Sequence, residues 1–122
     1  MWAWIVILQN YLIKWEKIDL KFYYIKKAEK TFKDIFYLFS SDEKMSKFQY
    51  SKLLSIVLKN KINENEEKVN EVFLNYNIDK SGLLSFEEFI NLYLDLIKED
   101  MNRVWKDLYS LGYNNLLEKK KI

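Results

Sequence analysis

The chain contains no Pro, and its only Gly residues are Gly82 and Gly112. No other feature constrains the fold as much. Strand-rich folds need frequent tight turns, and those turns draw on Gly and Pro. A chain of 122 residues with two such breakers is expected to be all-α, made of long helices with few interruptions. Its length suits one domain. Hydrophobic residues make up 49% of it and charged residues 31%. A core and a hydrated surface can therefore both be built, and the composition of a disordered chain is absent.

The apolar residues repeat as helices require. Tyr11, Trp15, Ile18, Phe22, Ile25, Phe32, Phe36 and Phe39 follow one another mostly at three and four, interrupted by Glu29. This is a helical period close to a heptad. A coiled coil and a long helix packed on its own domain both satisfy it, and the second is the simpler reading. Another helix is expected over residues 50–58, with Leu53, Leu54, Val57 and Leu58 apolar. Asn63 with Glu66 three residues on reads as an N-cap and capping box. The helix it opens carries Val69, Val72, Phe73 and Tyr76 on one face. From Phe86 to Leu111 the spacing is again helical, as one long helix or as two with a bend near Asp100. Gly112 reads as the stop, and a short last helix is expected over 114–120.

Residues 1–13 are strongly apolar, with Trp2, Trp4, Ile5, Val6, Ile7, Leu8, Leu12 and Ile13. The run is shorter than the roughly 20 residues a membrane span needs, and Lys14, Glu16 and Lys17 end it. It lacks the basic start and the cleavage site of a secretory signal. It reads as a core or partner-binding helix, as a segment lying on a membrane surface, or as a truncated or misassigned start.

Chemistry is narrowed by what is missing. Without Cys or His there are no disulfides, no thiolate or imidazole zinc sites, and no Cys- or His-based catalysis. No arrangement of Asp, Glu, Lys or Tyr suggests an enzyme. Any metal site must use oxygen ligands, which suit Ca²⁺ and Mg²⁺. A net charge of +2 does not call for nucleic acid. The basic run Lys119, Lys120 and Lys121 reads as a solvated tail. The lack of Cys is compatible with a cytoplasmic setting.

Oxygen ligands occur in one ordered set. In the twelve residues 77–88, Asn77, Asp79, Ser81, Ser85 and Glu88 fall at positions 1, 3, 5, 9 and 12, with Gly82 at position 6. A loop of this length can wrap a cation if alternate residues face inward. The Leu83 carbonyl would supply a ligand at position 7, and Glu88 could close the shell with both carboxylate oxygens. Gly82 permits the sharp turn. Leu84 takes the apolar position 8, between helices ending at Phe73 and Tyr76 and starting at Phe86, Phe89 and Ile90.

This stretch clearly resembles the EF-hand family. The resemblance implies one Ca²⁺ site formed by Asn77, Asp79, Ser81, Leu83, Ser85 and Glu88. Tightly binding members carry Asp at position 1, where this chain has Asn77, and position 5 is the neutral Ser81. Only Asp79 and Glu88 bring charge, which implies weak binding, on the order of 10⁻⁵ to 10⁻³ M.

EF-hands occur in pairs, and an upstream echo is present. Residues 48–54 align with residues 84–90 at an offset of 36, and Phe36 and Phe39 align with Phe73 and Tyr76 at an offset of 37. A repeat of this size is a supersecondary unit. The upstream loop is then expected over 40–52, one residue longer than its partner. Lys52 would replace the terminal Glu, with Asp42 and Glu43 as the only acids. Such a loop would bind no ion and would pair Phe48 with Leu84 in a short two-stranded contact.

The expected organisation is an N-terminal helical extension (1–27), an EF-hand pair (28–97, with a degenerate hand at 28–59 and a near-consensus one at 64–97), and a C-terminal helical extension (98–122). The resemblance implies a calcium-binding regulatory or adaptor protein, similar to calmodulin-like proteins and myosin light chains, that holds a partner helix in an apolar groove. The alternative is a calcium-independent scaffold or light-chain-like subunit. The internal occupant of that groove could be the N-terminal stripe or residues 101–111.

Overall fold

The computed structural model describes residues 18–119, with side chains from residue 26 onward. The expectations for residues 1–13 lie outside these residues. Among the described residues there are five helices and one two-stranded contact: α1 (Ile18–Phe39), β1 (Met45–Ser46), α2 (Lys47–Val57), α3 (Glu67–Tyr76), β2 (Leu83–Leu84), α4 (Phe86–Glu99) and α5 (Met101–Ser110). The strands pair antiparallel, Met45 opposite Leu84 and Ser46 opposite Leu83. No helix among the described residues is long and apolar enough to cross a membrane.

The apolar periods become one shared core. Phe32 and Phe36 of α1 meet Phe89 and Tyr93 of α4. Phe36 and Phe89 have ring centroids 5.4 Å apart, Phe89 and Tyr93 5.2 Å, and Phe32 and Tyr93 5.0 Å. Tilted aromatic pairs of this kind add about 0.5–1.5 kcal/mol each beyond their burial. The entering helices end alike: Phe36 and Phe73 are buried, while Phe39 and Tyr76 are half-buried. The Tyr76 hydroxyl donates to Asp95 Oδ2 at 2.6 Å and ties α3 to α4.

The break near Asp100 is a true helix junction. Its backbone leaves the helical region (φ −153°), and its side chain accepts from the Arg103 N–H to start α5. Helix α5 folds back onto α2 and α4, burying Val104 and Leu108. The buried Asp107 accepts the Tyr93 hydroxyl at 3.1 Å. Burial pushes its carboxyl above the usual range, against the opposing pull of Arg103 and of the Tyr93 bond. The region expected as an extension thus contributes to the same core, through Val104, Leu108, Tyr113 and Leu117.

Four expectations are corrected. Phe48 does not face Leu84; it lies half-exposed in α2, and Met45 takes the pairing position. Helix α2 starts at Lys47 rather than near Tyr50. Helix α3 starts at Glu67, because Glu64 and Asn65 form a turn. Glu66 is its N-cap and reaches back to the Asn63 N–H, while Asn63 does not cap. No helix forms over 114–119. There the Asn114 side chain accepts from the Leu116 and Glu118 N–H groups, both at 2.9 Å. Such local bonds compete with helix, and a bridge between Tyr113 and Lys119 closes the segment.

Candidate functional site

The second loop grows directly out of α3. Asn77 is the C-cap of that helix, its N–H bonded to the Phe73 carbonyl. The chain then turns through Lys80 (φ +55°) and Gly82 (φ +80°). The second of these left-handed positions is the one that favours Gly. Ser85 next caps α4, with its Oγ accepting from the Glu88 N–H and the Glu88 side chain accepting from the Ser85 N–H at 2.8 Å. That reciprocal pair is a capping box.

Four of the six candidate ligands converge. The Asn77 Nδ2 lies 2.9 Å from the Leu83 carbonyl, 3.2 Å from Asp79 Oδ1 and 3.4 Å from Glu88 Oε1. The other two stand aside. Ser81 is exposed; its hydroxyl meets the Leu83 peptide at 3.2 Å and its N–H donates to Asp79 Oδ1 at 3.0 Å, so it braces the loop from outside the point where the other four meet. Ser85 Oγ is committed to capping α4.

The acids are held ionised by hydrogen bonds. Asp79 lies below its ordinary value because of the Ser81 backbone N–H and hydroxyl. Burial pushes Glu88 up, but N–H groups of Ser85, Ile78 and Asn77 outweigh it, and its carboxyl ends below the usual range. Its second oxygen accepts from the Ile78 N–H at 2.6 Å.

The orientation of the Asn77 amide follows from its neighbours. Its Oδ1 accepts from the Gly82 N–H at 2.7 Å, so its nitrogen faces the three acceptors. Exchanging O and N would set a donor against the Gly82 N–H and an acceptor against three oxygens. A calcium shell needs 6–8 oxygens. At the point where the loop oxygens meet, Asn77 presents a donor, so the residues as arranged do not fit a hard dication. Among the described residues no group of three or more His, Cys, Asp or Glu is placed to hold a metal.

The first loop is closed by other means. Between Ser41 and Lys44 the backbone pairs in both directions, at 2.9 and 3.0 Å, with Asp42 (φ +50°) and Glu43 (φ +62°) in the left-handed region. These φ values are those of a tight type I′ turn. Both acids are exposed. Ser46 caps α2 in a capping box with Gln49, matching Ser85 and Glu88 39 residues further on. The upstream loop is thus two residues shorter than its partner rather than one longer, and it ends at Gln49, not Lys52. Lys52 points away, its Nζ 4.8 Å above the exposed Phe48 ring. Gln49 was legible in the sequence, since Ser46-x-x-Gln49 repeats the capping pattern of Ser85-x-x-Glu88.

Comparison with protein-family models, with curated proteins and with solved structures finds no match to this chain.

Proposed function

We propose that the chain is an EF-hand-like pair acting as a calcium-independent protein-binding scaffold, with a helical segment of another protein as its partner. The observation that carries this reading is Glu88. It is the residue best suited to close around an ion, and its two carboxylate oxygens accept from backbone N–H groups at Ser85 and Ile78. The antiparallel contact between the loops and the matched caps on α2 and α4 support the pairing.

Helix α5 already covers part of the face built by α2 and α4. Beside it lies a cleft of about 410 Å³ whose apolar lining includes Leu58, Val72 and Leu96, with the charged Lys68, Glu71 and Arg103 also lining it. We assign the partner's helix to this cleft, since an apolar helix face needs such a lining. A cytoplasmic setting belongs to the same reading and rests on the lack of Cys.

A calcium-regulated version of the module has one observation in its favour: Asp79, Leu83 and Glu88 point oxygens at a single position. Calorimetric titration of the full chain separates the two. No heat at millimolar Ca²⁺ is the expected outcome. One-site binding that Glu88→Gln abolishes would establish the calcium-regulated reading instead.

A further inference from the structure

We infer that the Asn77 side-chain nitrogen is a built-in stand-in for a cation, so that one atom keeps the second loop closed without an ion. The inference rests on the calcium-independent reading above and names the device behind it. The amide bridges the loop in both directions. Its oxygen takes the Gly82 N–H, and its nitrogen reaches Leu83 O, Asp79 Oδ1 and Glu88 Oε1. Two of those three acceptors belong to carboxylates, the buried Glu88 and the exposed Asp79. A site that gathers two negative charges and a carbonyl needs positive charge at its centre. In this chain the positive end of an amide dipole provides it.

Asn77 is itself 2% exposed, so water does not replace what it does. Its amide hydrogens can serve these acceptors only while the Gly82 N–H holds the oxygen on the other side. The bonds from both ends of the amide therefore depend on one another.

The consequence is a sharp difference between two near-isosteres. Asn77→Asp keeps an oxygen for Gly82 but turns the second polar atom from donor to acceptor. Three carboxylates and a carbonyl would then face one point with no donor between them. The variant should be less stable without ions and should recover when a dication is supplied. Asn77→Ser keeps an acceptor and loses the nitrogen, so it should be destabilised with no recovery.

The test compares the full-length wild type and both variants by thermal melting in EDTA and in millimolar CaCl₂, with calorimetric titration of CaCl₂. The expected result is a wild type that melts alike in both buffers. Asn77→Asp should melt roughly 5 °C or more lower in EDTA, regain that loss in calcium, and bind one ion at least tenfold more tightly than the wild type. If it is unfolded in EDTA, calcium should restore its helical circular dichroism. An Asn77→Asp protein that melts as the wild type does and ignores calcium overturns the inference and leaves the scaffold reading standing. An Asn77→Ser protein as stable as the wild type also overturns it. Tight calcium binding by the wild type overturns both.

Discussion

The two loops do the same mechanical job with different parts. Each joins an entering helix to an exiting one, each contributes a strand residue to the Met45–Leu84 contact, and each ends in a capping box. The first is held by its backbone, through the Ser41–Lys44 turn, and by the Gln49 amide, whose nitrogen donates to Ser41 Oγ at 2.7 Å. The second is two residues longer and brings two acids, the buried Glu88 and the exposed Asp79, to the Asn77 amide. In both loops a side-chain amide supplies the N–H that closes the loop. The difference is that the second loop gathers charge while the first turns its acids to solvent. A loop that gathers charge depends on the group at its centre; a loop that does not is indifferent to it.

The largest expected effect tests what the loops share. Phe89 is fully buried and touches aromatic rings of α1 and α4. Phe89→Ala should cost about 3–5 kcal/mol, with both halves lost in one transition in urea. Two separate transitions, followed by tryptophan fluorescence and circular dichroism, would show that the units do not form one cooperative core.

Next comes the contrast between the terminal residues. Glu88→Gln replaces one carboxylate oxygen by a donor facing the N–H of Ile78 or Ser85, which should cost about 1–3 kcal/mol. Gln49→Glu loses only the bond to Ser41, whose hydroxyl can donate instead, so the change should stay below about 1 kcal/mol. The same pair separates in pH. Glu88 has a lowered folded value, so its contribution is complete above the ordinary 4.5 of a Glu and disappears as pH falls through the lowered value. Glu88→Gln should flatten the acid side of the stability profile and Gln49→Glu should not. Equal effects of the two changes, in size and pH profile, would remove the distinction between the loops.

The caps sharpen the likeness instead. Ser46→Ala and Ser85→Ala should each cost about 1 kcal/mol, read from denaturant midpoints. A cost confined to one of them would mean that the boxes are not equivalent.

The smallest effect is expected at the start of the first loop. The Ser40 Oγ is buried without a hydrogen-bond partner. Ser40→Ala should leave stability unchanged or raise it by up to about 1 kcal/mol. A loss larger than that would reveal a bond on which the first loop depends.

The misplaced upstream loop shows where sequence reasoning stops. The repeat was legible, but the offset of 36 between exiting helices was wrong by three residues. A slip of three turns a helix by nearly a full turn, so buried positions fall on buried positions either way. Phe89 matches Leu53 at one offset and Tyr50 at the other, and all three are buried. Hydrophobic pattern alone cannot separate these alignments. The strand register can, because Met45 and Leu84 share one contact.

The sequence by itself determined the helical class, the stop at Gly112 and the order of polar residues in the second loop, and it left one long helix or two with a bend near Asp100 for the structure to decide. Each depends on local rules: apolar period, capping chemistry and the scarcity of Gly and Pro. Only the tertiary structure decided that α5 packs back onto α2 and α4, that the first loop ends at Gln49, and which end of the Asn77 amide faces inward. The oxygen and nitrogen of an amide have nearly the same shape, and only neighbours distant in sequence tell them apart. At Asn77 those neighbours are Gly82, Leu83 and Glu88, brought together by the fold.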